Sequence, residues 1–586
     1  MHQAATTLLI LAGGMIGLAM GIQPMRPESN STRPLAQALS KEADLIVLDG
    51  NIWTGERDPS GRTRTVQAVA IAGGRFIAVG SNQNILALKT KDTKIIRLEG
   101  RRVVPGLIDS HVHFIAGGFQ LLSLDLKHVK SEDEFVRLIG ERAKTLPPGR
   151  WLRGGNWDEE AWPLPALPTR WQIDGVTATL PVLLRRYDGH AALANSLALK
   201  LAGLSRETST PPDGVIVRDP ATGEPTGVLK DAAIGLVAKA IPRPSDAEME
   251  ESLRAALGEA GRAGVTSVHN ITLDEQTPSG SFWGEVELLR RAEREKWLTV
   301  RQYLLIPIDH VDELAAAGKS QRAESEWLRL LAVKGFADGS LGSRTAWMFD
   351  PFDDTPGSRG LPMALMDPPS KMEDLVRKAQ NAGIHPCVHA IGDRAVSEML
   401  ELFERVGGKD SRAARFRIEH AQHMRSMDFA RFGKLGVIAS MQPYHAIDDG
   451  RWAEKTIGAR RARTCYAWRS MLEAGAPLAF GSDWPVAPLS PILGIHAAVT
   501  RATLDGKHPD GWIPEERLTV EEAMSAYTAG SAFAAFEEEE KGTISLGKLA
   551  DLVVLSEDIL AVPPERIKDV SPKMTVVGGK IVYEKD

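Results

Sequence analysis

Six side chains in this sequence have the types and the placing to hold a metal ion: His111, His113, Lys334, His389, His420 and Asp483. His111 and His113 stand one residue apart, just past the apolar run 103–108. On an extended backbone residues i and i+2 point to the same side, so this pair can hold one cation from a strand's carboxyl end. Fourteen histidines in 586 residues will sometimes fall this way, so the pair draws its weight from the other four residues. Each of those sits at or near the end of a different apolar run. Taken singly, each has an ordinary alternative: a lysine that snorkels, a partnered core histidine, an aspartate that caps a helix. As an ordered set they are hard to obtain by chance. A protonated lysine offers donors only, so Lys334 among ligands requires a neutral amine or a carbamate.

The elements that must position these groups are apolar runs at 103–108, 265–269, 299–305, 330–336, 384–389, 416–419, 437–441 and 477–481, with helical stretches between them. Eight strands alternating with helices predict an α/β chain folded as a closed (β/α)8 TIM barrel, which assembles its site at the strands' carboxyl ends. A ninth run, 181–186, is assigned to an insertion at about 124–244, too long for a simple βα connection and rich in Trp, Pro and Gly. Short strand-like runs with glycine-rich breaks occupy 44–48, 68–72, 76–79 and 94–98, and the style returns at 542–544, 550–555, 575–577 and 580–583. The two ends are therefore expected to meet in a small composite β-sandwich, 43–104 plus 542–586, around a barrel spanning 105–541.

Composition is that of a globular protein, 43% hydrophobic and 25% charged, and a net charge of −6 without a basic, aromatic-laced stripe argues against nucleic acid as a partner. Cys387 and Cys465 are the only cysteines, so no disulfide framework supports the fold. Residues 4–22 are apolar and nearly uncharged, and 23–34 are polar with prolines. The 1–34 segment is expected to act as an export signal, giving a secreted or periplasmic protein. The alternatives are a retained membrane anchor, the only route to a membrane contact, or a cytoplasmic protein with a mis-assigned start.

The motifs PGLIDSHVH (105–113), DGHAALANS (188–196), KGFADGSLGSRTA (334–346), HAIGDRA (389–395), RIEHAQ (417–422) and GSDWPV (481–486) together resemble the YtcJ-like branch of the amidohydrolase superfamily (amidohydrolase family 3), which includes N-substituted formamide deformylase. The resemblance implies that His111 and His113 bind the more buried metal and His389 and His420 the more exposed one. It implies that a carboxylated Lys334 bridges the two, and that Asp483 binds metal and takes the proton of the attacking water. It implies a divalent metal cofactor, zinc expected, as one or two ions. A one-metal variant using His111, His113, His389 and Asp483 stays open, with Lys334 a bystander and His420 behind the ligands.

The implied reaction is hydrolysis of a non-peptide C–N bond, in a small amide or N-substituted formamide, by a metal-activated hydroxide. Alternatives are a deaminase or cyclic-amide (imidazolone-type) hydrolase on the same site, or a catalytically silent metal-binding protein associated with a membrane. His190 is the candidate for a further catalytic or substrate contact, carried over the barrel mouth by the Asp188–Gly189 turn. Asp338 and Arg344 are candidates to anchor their loop or a substrate's polar end. Trp484, with Trp157 and Trp162, is a candidate to line an apolar pocket, and His269 is expected beneath the site. The partner is a small molecule, and a homo-oligomer is left open.

Overall fold

The computed structural model describes residues 42–58, 60–164, 166–186, 190–211, 214–272, 280–318 and 325–585. The signal-like segment 1–34 and the turn residues Asp188 and Gly189 lie outside the described residues. Among the described residues no helix is long and apolar enough to cross a membrane.

Eight parallel strands form the central sheet: β1 (Leu107–Val112), β2 (Val265–Ile271), β3 (Arg301–Pro307), β4 (Leu328–Phe336), β5 (His385–Ala390), β6 (Arg417–His420), β7 (Ile438–Met441) and β8 (Leu478–Phe480). They neighbour one another in chain order, and a parallel bridge from Val112 to Trp484 joins the two edges at the carboxyl end. Every residue of β1, β2 and β5 is buried, because a parallel sheet sheathed in helices has no solvent face. This is the expected TIM barrel, with one shift. The apolar run 103–108 is two strands, not one: Arg102–Pro105 pairs with Leu552–Leu555 in an outer sheet, and β1 begins only at Leu107.

Gly106 makes that break. A Cβ there would lie 2.2 Å from Thr266 Oγ1 and 2.8 Å from Asp551 Cβ, so the chain can turn from one sheet into the other only without a side chain. Asp551 also receives the buried Arg301 guanidinium, Nε to Oδ2 at 2.7 Å, tying the amino end of the barrel to the outer sheet.

The chain ends build two sheets. One has four strands, Leu45–Leu48, Ala68–Ala72, Arg75–Gly80 and Lys94–Arg97. The other has six, drawn from both ends of the chain: Asn51–Arg57, Thr63–Val66, Arg102–Pro105, Leu552–Leu555, Pro572–Val577 and Lys580–Glu584. Val47, Val69 and Phe76 of the first share a buried cluster with Ile52, Val103, Val554 and Val576 of the second. The run 542–544 is not a strand, although Ile544 N donates to Thr54 O at 2.8 Å.

The insertion carries its own six-stranded sheet, including Leu152–Trp157, Val182–Arg186, Ala191–Ala194 and Pro225–Asp231. Trp157 and Trp162 are buried there against Phe135 and belong to the insertion's own core.

Candidate metal centre

The end of β1 is stitched to the loop after β8. Asp109 Oδ1 accepts from the backbone N–H of His111 at 3.1 Å and of Ser482 at 2.9 Å. Asp483 N donates to His111 O at 2.7 Å, and His113 N to Trp484 O at 2.8 Å. Gly481 lets the two segments approach, since a Cβ there would lie 2.5 Å from the His111 nitrogen. Asp483 itself is held at φ +61° and His420 at φ +73°, a region that side-chain-bearing residues enter only under constraint. Both of these strained positions carry side chains aimed into the same space.

There, one nitrogen each of His111 and His420 and one carboxylate oxygen of Asp483 all lie within 4.8 Å of one another. Asp483 Oδ1 stands 3.5 Å from His111 Nε2 and 3.4 Å from His113 Nε2. Lys334 Nζ, from β4, donates to His111 Nε2 at 3.4 Å. The His389 ring, from the end of β5, lies 4.5 Å from that of His420, centroid to centroid. All six predicted groups thus converge at the carboxyl end of the barrel.

Neighbours fix which nitrogen of each ring is free. His111 Nδ1–H donates to Glu419 Oε2 at 2.7 Å, and His420 Nδ1–H to Gln442 Oε1 at 2.8 Å, so both rings present an unprotonated Nε2 that can bind a cation, that of His111 being the one that meets Lys334. His389 Nε2–H donates to Gly339 O at 3.0 Å and leaves Nδ1. Burial, aided by Lys334, lowers the His111 imidazole to about 4. Burial and Lys334 likewise lower His389 to about 3, and burial with the neighbouring histidines holds His420 well below its ordinary value. Burial pushes Asp483 up, but the imidazoles of His111, His113 and His445 outweigh it and hold the carboxylate below the usual range. Neutral imidazoles with oriented lone pairs around an ionised carboxylate are the donor set of a divalent ion.

Against this geometry, the amidohydrolase family model matches residues 94–583. The chain belongs to the amidohydrolase family. Relatives of this amidohydrolase include protein LONG AFTER FAR-RED 3 of Arabidopsis thaliana, 39% identical over 92% of this chain and 92% of its own. Putative amidohydrolase YtcJ of Bacillus subtilis (strain 168) is 34% identical over 89% and 96%. N-substituted formamide deformylase of Arthrobacter pascens is 28% identical over 93% and 99%. An uncharacterized metal-dependent hydrolase from Pyrococcus furiosus superposes with a TM-score of 0.72 at 28% identity, covering 88% of this chain and 99% of that one.

The other sequence candidates have partners of their own, and Asp338 keeps Oδ1 3.5 Å from His389 Nε2. His190 is exposed on the insertion, its Nδ1 2.8 Å from Asp231 Oδ1. Asp338 is buried behind His389 and accepts from the backbone N–H groups of Trp347, Ile391 and Gly392 at 2.7–2.9 Å, clamping the loops that follow β4 and β5. Burial raises its carboxyl to about 7. Arg344 grips Asp354 with Nε at 3.0 Å and gives Nη1 to the carbonyls of Leu341 and Gly342, which is loop anchoring. Trp484 is buried edge-on to Phe114 and fills the space over Gly117, where a Cβ would come within 2.2 Å of its ring. No signal in the sequence marked Glu419, Arg417, Gln442 or His445, which surround the cluster. Arg417 joins His269 Nδ1 at 2.9 Å to Glu419 Oε1 at 2.7 Å, so His269 lies beneath the site as expected.

Proposed function

We propose that this amidohydrolase uses a divalent metal centre, with zinc as the resident ion, to hydrolyse N-substituted formamides and small amides of similar shape. The observation that carries the reading is the Asp483 carboxylate, held 3.4–3.5 Å from the Nε2 atoms of His111 and His113, with the His111 proton turned away to Glu419. The formamide class is supported by the relative that shares 28% identity over nearly its whole length.

When bound, the metal supplies Lewis acidity, drawing a water's pKa from 15.7 toward about 7 and polarising the carbonyl. Asp483 takes the water's proton and passes it to the departing nitrogen. His111, His113, His389 and His420 hold the metal position fixed. Burial lowers the Lys334 amine to about 8, partly opposed by Glu419 and Asp483. A neutral fraction of that amine is available to add carbon dioxide, and the resulting carbamate would replace a cation with an anionic ligand able to serve a second ion; this is the two-metal form of the proposal. The apolar 4–22 stretch supports export, placing the enzyme outside the cytoplasm.

The test measures metal per chain in freshly purified protein and formate release from a panel of N-alkyl- and N-arylformamides. One or two ions and formate release that stops on chelation are expected; a metal-free protein, or no formate from any member, defeats the proposal. The imidazoles add a pH prediction. Protons compete with metal for the ring nitrogens, and His111 and His389 take up protons only near about 4 and about 3. Metal content is therefore expected to hold on acidification from pH 7 to about 5 and to fall below that. Loss of metal around pH 6.5, where an ordinary histidine titrates, would contradict the ring environments described.

A further inference from the structure

His445 stands on the short helix Pro443–Asp449 that follows β7, at the catalytic end of the barrel, and its ring lies parallel to that of His420, 7° apart with centroids at 6.4 Å. Its Nδ1 accepts from Gln422 Nε2 at 3.3 Å. A ring that accepts at Nδ1 carries its proton at Nε2 when neutral. That Nε2 is buried and has no hydrogen-bond partner among the described residues. It points at Asp483, with Oδ2 at 4.0 Å. The distance is too long for a hydrogen bond between the two. It suits two groups that meet neighbouring oxygens on one carbon, the carboxylate taking a proton from the attacking water and the N–H facing the former carbonyl oxygen. Buried polar groups seldom go unsatisfied, and an unpartnered N–H aimed into a reaction space marks a position where an acceptor arrives with the substrate.

Resting on the amide-hydrolysis reading above, we infer that His445 is a further catalytic residue: an imidazole whose Nε2–H donates to the substrate's carbonyl oxygen in a bond that strengthens as that oxygen gains charge. Gln422 is its positioning residue and sets the tautomer. The donor makes no bond to the metal. No proton leaves His445 during turnover, so the role is electrostatic, not acid–base. The consequence for specificity is a substrate that presents an acceptor oxygen at the attacked carbon, as an amide does and an amidine does not.

The experiment compares wild type, His445→Phe and His445→Gln, all metal-loaded, on 4-nitroformanilide and on N-butylformamide, with metal content and thermal melting measured alongside. His445→Phe is expected to lower kcat about 10²- to 10³-fold on both substrates, the usual loss for one oxyanion donor. Metal content is expected to stay at the wild-type level. His445→Gln, whose amide places an N–H near the same point, is expected to recover to within about tenfold of wild type. An unchanged kcat overturns the inference, and so does loss of metal in either variant, which would make His445 a ligand. A loss confined to N-butylformamide also overturns it, because only a proton donor to the leaving nitrogen would spare the weakly basic nitroaniline. Nitrogen-15 spectra of histidine-labelled, zinc-loaded protein, assigned by difference with His445→Gln, read the tautomer without any substrate. The Nε2–H form supports the donor even if neither formamide is turned over, an outcome that fails the formamide proposal alone; the Nδ1–H form removes the donor.

Discussion

Replacing Asp483 with Asn is expected to lower kcat by about 10²- to 10⁴-fold, the range for loss of a positioned proton acceptor, while fold and most of the bound metal persist. Asparagine is the informative choice for two reasons. The position has φ +61°, a conformation that asparagine and aspartate tolerate better than other side chains. Its amide oxygen also keeps a neutral ligand facing His113 and His111, so geometry is retained and the acceptor of the water's proton is lost. The wild-type carboxylate stays ionised through the working range, since the surrounding imidazoles more than offset the upward push of burial. Steady-state kinetics with metal analysis and a melting curve on the same preparation decide the matter. Wild-type turnover by Asp483→Asn would remove Asp483 from the proton path, whereas parallel loss of metal and activity would reduce it to a ligand.

The barrel and the meeting of the six candidate groups at its carboxyl end were legible because both follow from short-range rules. Apolar runs bounded by turns gave the eight strands, and the i, i+2 relation put His111 and His113 on one face. Where those rules break, the sequence was silent. Gly106 divides an uninterrupted apolar run between two sheets for a reason visible only in space, the closeness of Thr266 and Asp551. Strict alternation along β6 would turn His420 away from the side that Glu419 faces. Its φ of +73°, followed by +45° at Ala421, brings both to the centre. Glu419 and Gln442 act through rings contributed by other strands, β1 and β6, and no local pattern records that pairing. Trp484 was a pocket candidate by type, and its packing over Gly117 is visible only in space, while Arg344 takes the loop-anchoring alternative by gripping Asp354.

The Glu419–Arg417 pair is where the site and the stability of the barrel meet, and Glu419→Gln is expected to damage both. Glu419 and Arg417 are fully buried and joined at 2.7 Å, while the other carboxylate oxygen receives His111 Nδ1–H, also at 2.7 Å. Burial raises Glu419, but Arg417 foremost and then His111 hold it far below the ordinary carboxylate value of 4.5. A neutral glutamine leaves the Arg417 guanidinium in the core without a counter-charge from Glu419, among the neutral acceptors Ser110 O, Ser440 Oγ and His269 Nδ1. Stranding one charge of a buried pair costs about 3–5 kcal/mol, and losing the group that orients a metal-binding imidazole weakens metal binding about 10- to 100-fold.

The pH dependence has a definite sign. A carboxylate depressed by its folded environment contributes stability that is present above its unfolded value and lost only as pH falls through the folded one. The gap in denaturation free energy between wild type and Glu419→Gln should therefore stay level from pH 8 to about 5 and close on further acidification. A gap that widened toward acid would reverse the assignment. The double replacement Arg417→Met with Glu419→Leu separates the two effects, because removing both charges restores much of the stability, whereas His111 still lacks its Nδ1 acceptor. Denaturant titrations of the metal-free proteins, read beside chelator competition for the metal, should show stability recovering while affinity does not. Recovery of both would mean that His111 needs no orienting carboxylate, and Glu419 would then matter only as the counter-charge to Arg417.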